Sequence, residues 1–287
     1  MSNAISPALP TGDGNLQIDE RSFLWIAELL HGESGIVLSP GKKNLVVSRL
    51  SRRLRELGLA DFPDYCRHLE GANGGKERRK LVTALTTNVT RFFREGHHFE
   101  TLDRELFPGL LARARQGGRV RIWSAGCSTG EEPYSIAIRL LEQMPDAAGH
   151  DIRILGTDID ADVIARARAA TYADIDEDHL PRALRDRWFV PSDATPGALQ
   201  VAPAVRALVS LAELNLMQDW PMRGPFDVIF CRNVVIYFDA DTQARLWSRF
   251  ADMLAPGGRL FLGHSERVNT AVEPRLAPAG ITQYRRL

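Results

Sequence analysis

"VRIWSAGCSTGEEPYS", residues 120–135, decides the architecture. It opens as a short apolar run, turns through small and polar residues, and continues as a helical pattern. Gly126 and Gly130 permit a tight turn and close backbone approach, and Ser128 or Thr129 suits a helix cap. The same punctuation returns in "DIRILGTDI" (151–159), "VSLAELNL" (209–216), "FDVIFCRN" (226–233) and "GRLFLGHS" (258–265). Helical patterns occupy 130–143, 161–170 and 240–254. Buried runs alternating with helices predict a parallel sheet covered on both faces. The closing "ITQYRRL" alternates, which suits an antiparallel edge strand. Between residues 171 and 208 the rhythm breaks. There "RWFVPSD", "ALQVAP" and "VRALVSL" read as small antiparallel strands around a Pro/Gly turn, either an insertion on the rim of the sheet or an elaborate loop.

Upstream of residue 120 no strand pattern is found. "FLWIAELL", "SPGKKNLVVSRLSRRLRELGL", "DFPDYCRHLEG" and "KERRKLVTALTTN" read as four helices, the last running on into "TTNVTRFFREGHHF" (86–99), with "GANGG" a loop before it. Ser-Pro opens the second helix and Gly58 closes it. Residues 1–17 are rich in Gly, Pro, Ser and Asn and read as a disordered tail, with "SNA" resembling a cloning scar.

Lys plus Arg and Asp plus Glu number 36 each, so no global charge argues for nucleic acid. Three cysteines without CxxC spacing exclude a disulfide framework and suit a reducing compartment. No secretory leader is recognised, and no apolar run approaches the ~20 residues of a membrane span. The expected location is the cytoplasm. Charge is nevertheless local: Lys42, Lys43, Arg49, Arg52, Arg53 and Arg55 fall in one segment without an acid. Arg49, Arg52 and Arg53 share a helix face. A solvated face, a nucleic-acid contact and an acidic protein partner all fit that pattern.

In an open parallel sheet, ligands bind beyond the carboxyl ends of the strands. After the first strand, "SAGCSTGEEPYS" is not GxGxxG, and Glu131 and Glu132 would repel a pyrophosphate. A cation such as an ammonium or a sulfonium suits them; the ordinary alternative is acids favouring a helix dipole. After the second strand, Asp158 of "GTDID" suits two ribose hydroxyls, while Asp160 reads as a helix cap. After the third, Asn215 and Leu216 suit an adenine edge and face. After the fourth stand Arg232, Asn233 and Tyr237. A nucleoside site without a pyrophosphate signature points to S-adenosylmethionine rather than NAD.

"LTTNVTRFFREGHHF", "SAGCSTGEEPYSIAI", "TDID", "NL", "FCRNVVIYFD" and "GGRLFLGHSE", in that order, resemble the CheR family of chemotaxis receptor glutamate O-methyltransferases. The resemblance covers about residues 20 to 287. It implies an all-helical receptor-recognition domain (18–85), a linker contacting the cofactor (86–100), and a class I, Rossmann-like methyltransferase domain (101–287). A small antiparallel β-subdomain is inserted at about 188–209. By the resemblance, Asn88, Thr90, Arg94, Glu132, Asp158, Asn215, Leu216, Arg232 and Asn233 contact S-adenosylmethionine. Glu132 takes the methionine ammonium, counting along the motif favouring it over Glu131. The basic helix, through Arg49, Arg52 and Arg53, engages the cytoplasmic helical bundle of chemoreceptors, placing the protein at receptor arrays. The β-subdomain binds a receptor C-terminal peptide in some members, although "PSDATPGA" differs in composition here.

Phe92 and Phe93 are expected to pin the linker to the catalytic domain. His97 and His98, adjacent on a helix, are expected to diverge, and no metal site is expected. A glutamate carboxylate is ionised at neutral pH, with an ordinary pKa of ~4.3, and needs no general base. The absence of a Ser/His or Cys/His set at the strand ends fits that chemistry. Arg94 and Tyr237 are the expected catalytic pair beside the incoming carboxylate, core packing being the alternative for Tyr237. Other enzyme readings are methylation of another protein or of RNA; a different class is a non-catalytic S-adenosylmethionine sensor.

Overall fold

The computed structural model describes residues 16–72, 74–175 and 178–287. The expected tail and its "SNA" lie outside these residues up to residue 15. The chain forms two compact units, residues up to 29 with 39–85, and residues 30–38 with 86–287. Among the described residues no helix is long and apolar enough to cross a membrane.

The first unit is helical: α1 (Glu20–Ser34), α2 (Lys43–Leu57), α3 (Phe62–Glu70) and α4 (Gly74–Leu85), with the last turn of α1, from Leu30, belonging to the second unit. Gly58 stops α2 in the left-handed conformation, φ 67°, with its N–H directed at the Arg55 and Leu54 carbonyls. Asp61 starts α3, accepting the Asp64 N–H at 2.8 Å. α4 begins inside the expected "GANGG" loop, at Gly74, and stops at Leu85 instead of running on. Phe23, Ile26, Leu50, Phe62, Tyr65 and Leu81 are fully buried.

The basic face of α2 is not the uniform surface its spacing suggests. Arg52 is exposed and pairs with Glu56, 2.8 Å away. Arg53 turns inward instead, donating through Nε and Nη2 to the two oxygens of Glu77 at 2.9 and 2.6 Å, with a further contact to Glu56. A planar guanidinium matches a carboxylate in this way, which a spacing rule does not anticipate.

In the second unit, residues 86–96 carry no regular structure. α5 (His97–Thr101) continues through a π-helical turn (Leu102–Leu106) into α6 (Phe107–Arg115). β1 (Val120–Ala125), α7 (Glu131–Gln143), β2 (Ile152–Asp158) and α8 (Ala161–Ala169) follow. Then come β3 (Thr171–Tyr172), α9 (Arg182–Trp188), β4 (Phe189–Pro191), β5 (Leu199–Val201) and α10 (Pro203–Arg206). β6 (Val209–Glu213), β7 (Phe226–Cys231), α11 (Ala240–Met253), β8 (Leu254–Leu262), β9 (Leu276–Gly280) and β10 (Gln283–Arg286) complete the chain.

The main sheet has the order β6-β2-β1-β7-β8-β10-β9. Its first five strands are parallel, and β10 runs antiparallel to both neighbours. Alternate residues of β1 face opposite sides. Ile122 joins one apolar cluster with Ile136 of α7, and Trp123 joins another with Trp247 of α11. Both faces are therefore covered, as the apolar runs require. The order reverses between β1 and β7, which fixes the crevice for a ligand.

Two expectations are corrected. β10 is antiparallel but not the edge strand; β9 covers it. The small second sheet is β3-β5-β4, so Thr171–Tyr172 supplies its third strand. "VRALVSL" instead divides between α10 and β6, because its second half continues the parallel sheet beside β2.

Candidate functional site

The turn after β1 is built for close approach. Gly126 has φ 80°, and a Cβ there would lie 2.3 Å from Val234 Cγ2, so no side chain fits. The first turn of α7 carries both acids, with different partners. Glu131 accepts from the Thr129 hydroxyl at 2.7 Å, and burial raises its pKa. Glu132 reaches back under the strand ends, accepting from Ser124 Oγ at 2.7 Å and Arg232 Nε at 2.6 Å.

Asp158 closes β2. Its Oδ2 accepts the Ser128 N–H at 2.8 Å and its Oδ1 the Asp160 N–H at 3.1 Å. Burial raises this carboxyl above its ordinary range, and the two backbone N–H groups oppose the shift. An ionised carboxylate has about four acceptor positions, so about two remain for hydroxyls. Asp160 caps α8 as expected, accepting the Asp162 N–H at 2.9 Å. Its other oxygen accepts from Asn88 Nδ2 at 2.8 Å, and the Asn88 carbonyl accepts from Ser128 Oγ at 2.7 Å. Segment 86–96 is thereby clasped to the turn after β1 and to the cap of α8.

Aromatic packing holds the rest of that segment. Phe92 sits edge-on to Tyr172 and Phe189, ring centroids 5.0 and 5.2 Å away, and Phe93 meets Phe99 at 5.3 Å. Phe92 thus packs on the small sheet as well as the main core. Tyr172 in turn donates to the Thr129 carbonyl at 2.7 Å. Phe93 and Glu95 have φ of 51° and 59°, a left-handed backbone that non-glycine residues seldom adopt. Surrounding contacts, including Phe93 N–H to Ser135 Oγ at 3.0 Å, hold it there.

Arg232, just beyond β7, is buried at the centre of the crevice. Besides Glu132 it donates to the Arg94 carbonyl. Its guanidinium lies 5.5 and 5.8 Å from the Phe230 and Phe99 ring centroids. Asn233 adopts φ 60°, and its N–H donates to Glu266 at 2.8 Å. Its Oδ1 is buried with no hydrogen-bond partner among the described residues. Glu266 also accepts from Gly263 and Val235, clamping the ends of β7 and β8 together.

Glu95, His98 and Glu266 were not singled out from the sequence as site residues. The signals were an acid directly after Arg94, a histidine within an aromatic run, and the closing acid of "GHSE". His97 and His98 do not diverge: their ring centroids are 4.1 Å apart. With Glu95 they present three ligand-type atoms within 4.8 Å of one another. The left-handed turn at Glu95, ahead of the helix, brings these side chains together, which helical spacing does not foresee.

The remaining expected residues are dispersed around the crevice. Half-buried Arg94 donates to the Val89 carbonyl at 3.1 Å. Thr90 is half-buried on the same segment. Tyr237, also half-buried, ends a 3-10 turn in which Val235 enters the core and Ile236 is exposed, so this stretch is only partly core. Leu216 is buried beyond β6. Asn215 Nδ2 donates to the Glu33 carbonyl at 2.6 Å and its Oδ1 accepts the Met217 N–H at 2.9 Å, so this amide is held at both ends.

These groups fit a nucleoside that carries positive charge and hydrogen-bond donors. Among the described residues the buried Asn233 Oδ1 lacks a donor, Asp158 retains acceptor positions, and Glu132 is a buried carboxylate at the switch point. Residues 88–284 match the family described as CheR methyltransferase, SAM binding domain, and residues 21–86 match CheR methyltransferase, all-alpha domain. A Rhizobium etli protein named "Probable chemotaxis protein methyltransferase" is 48% identical over 258 residues, 90% of this chain and 96% of that relative. The Escherichia coli chemotaxis protein methyltransferase is 39% identical over 291 residues, 98% of each chain. Chemotaxis protein methyltransferase 2 of Pseudomonas aeruginosa is 42% identical, covering 91% of each. With a crevice of this chemistry and likeness along nearly its whole length, the chain belongs to the CheR methyltransferase family and is an S-adenosylmethionine-dependent methyltransferase.

Proposed function

We propose that the chain methylates glutamate side chains of chemoreceptors, working at receptor arrays. The observation that carries this reading is that relatives named chemotaxis protein methyltransferases match it across both units. The chemistry of the crevice agrees. The methyl sulfonium supplies an activated methyl, and a glutamate oxygen is already anionic at neutral pH. The O–CH3 bond forms as the S–CH3 bond breaks, its electron pair stays on sulfur, and no proton moves. What remains for the chain is alignment and exclusion of water.

The roles follow from placement. Glu132 receives the methionine ammonium, and Asp158 accepts the ribose hydroxyls through its remaining lone pairs. Leu216 covers the adenine, and Asn215, already fixed at both ends, offers its remaining hydrogen-bonding capacity to the adenine edge. Asn88, Thr90 and Asn233 complete the enclosure. Arg94 and Tyr237 orient the incoming carboxylate, the arginine through a planar fork and the phenol through one hydrogen bond. On the receptor side, Arg52 and Arg55 are the exposed cations of α2, with Arg49 half-buried beside them. Arg53 supports the helix from within rather than meeting the receptor. The edges of the small sheet, β3 and β4, are where a receptor C-terminal peptide would add.

The test is transfer of labelled methyl from S-adenosylmethionine to receptor-containing membranes. Label released by base as methanol is expected, as for a carboxyl ester. Label that resists base, or appears only on RNA or non-receptor protein, would sink the assignment.

A further inference from the structure

Arg232 lies between two acids. Its Nε is 2.6 Å from Glu132 Oε2 and its Nη1 is 3.7 Å from Glu95 Oε2. The three side chains are only 3%, 9% and 11% exposed, so water screens them little. His98 adds no charge to this group. It is fully buried, with Nδ1 3.4 Å from Arg232 Nη1 and Nε2 2.9 Å from Thr282 Oγ1. The Thr282 hydroxyl donates to the Ile281 carbonyl at 2.8 Å, so it accepts from Nε2–H and leaves Nδ1 as an acceptor facing the guanidinium. One cation and two carboxylates leave one negative charge over.

We propose that Glu95 is a positioning residue that balances Arg232, so that Glu132 keeps its charge for the ammonium of the cofactor. The inference rests on the reading of Glu132 given above and deepens it. An isolated Arg232–Glu132 pair is neutral and offers an ammonium only a dipole. Glu95 restores the missing charge, and its attachment suits the task. Its Oε1 accepts the His264 N–H at 3.2 Å, and its backbone is fixed in the left-handed region. Its Oε2 is buried with no hydrogen-bond partner among the described residues, so it acts on the guanidinium through the field alone. The His264 imidazole, 3.5 Å from Oε1, is 72% exposed and too well screened to cancel the charge. Of the three ligand-type side chains Glu95, His97 and His98, two therefore already face a cation that the chain owns, the Arg232 guanidinium: Glu95 Oε2 at 3.7 Å and His98 Nδ1 at 3.4 Å.

Calorimetric titration of the full chain with two ligands tests this. S-adenosylhomocysteine carries the ammonium; 5′-methylthioadenosine shares the adenosine and thioether but lacks the amino-acid end. Glu95→Gln keeps the shape and removes the charge. It should weaken S-adenosylhomocysteine about tenfold or more while methylthioadenosine stays within about twofold, the scale of one charge-assisted contact. Glu132→Gln should show the same selectivity, and Glu95→Asp should recover part of the loss. Equal weakening of both ligands by Glu95→Gln makes Glu95 a structural residue and overturns the proposal. A selective loss in Glu132→Gln but none in Glu95→Gln shows that the second charge is not used. No selective loss in Glu132→Gln sinks the ammonium reading and this inference with it.

Discussion

Each unit holds an arginine between glutamates, Arg53 partly buried and Arg232 buried, and the two are finished differently. In the helical unit, Arg53 meets Glu77 through two parallel hydrogen bonds, and Tyr65 adds a third at 3.1 Å. Burial and the nearby Glu77 push the Tyr65 hydroxyl pKa far up, so it stays a donor. Both Glu77 oxygens are engaged. In the α/β unit, Arg232 holds Glu132, but the buried Glu95 Oε2 and Asn233 Oδ1 have no hydrogen-bond partner among the described residues. The backbone there is also unusual, with Glu95 and Asn233 at positive φ. A closed network of this kind holds helices together. An open one keeps unspent charge and acceptors, and such surplus at a switch point belongs to a ligand.

That contrast can be broken most sharply on the closed side. Glu77→Ala would remove both hydrogen bonds to Arg53 and the partner of the Tyr65 hydroxyl, leaving Arg53 only Glu56, which costs roughly 2–3 kcal/mol of stability. Denaturant unfolding followed by a probe in the helical unit should show it, with cofactor affinity unchanged. A loss under about 1 kcal/mol would mean that the pair is no more than a surface one.

On the open side the losses should fall on function. Arg94→Ala should lower kcat/KM for receptor by at least ~30-fold, about 2 kcal/mol, with a much smaller change in cofactor affinity. Lysine should rescue only in part, because it presents no planar fork. Equal loss of affinity and turnover would make Arg94 a cofactor-holding residue instead.

His98 ties the open network to pH. Burial and the neighbouring Arg232 push its pKa down to about 2, well below its ordinary value near 6.5. The unfolded chain therefore binds a proton that the folded chain refuses between those values. This contribution to stability is full above about pH 6.5 and falls by about 1.4 kcal/mol per pH unit below it. Wild type should lose about 2 kcal/mol relative to His98→Gln between pH 6.5 and 5, read from paired unfolding curves. Parallel curves would show that the imidazole is not held neutral.

Smaller effects follow at the rim. Asp158→Ala removes acceptors worth roughly 1.5–3 kcal/mol each to a ribose, so affinity for S-adenosylmethionine should fall about tenfold or more. Unchanged calorimetric affinity would move the ribose elsewhere. Arg52→Glu, on the exposed face of α2, should raise receptor KM by less than about tenfold and make it less salt-dependent. A silent Arg52→Glu would return that face to ordinary solvated charge.

The sequence by itself determined the alternation of strands and helices, because period and punctuation are local properties. It also placed Asp158, Arg232 and Asn233 at strand ends and Glu132 at the start of the helix after the first strand, since a parallel sheet puts those positions on one edge. What it could not determine was which atoms meet. Arg53 belongs to the same helical stripe as Arg52, yet one pairs inward because Glu77 comes from a helix 24 residues away. "VRALVSL" and "ITQYRRL" have strand-like composition, but their neighbours in the sheets were chosen by long-range pairing. Glu95, His97 and His98 converge where the backbone turns left-handed at Glu95, whose carboxylate is held from a distant loop by the His264 N–H. Charge surplus is the clearest case: it is a sum over Glu95, Glu132, Arg232 and His98, and only the tertiary structure says which charges enter the sum.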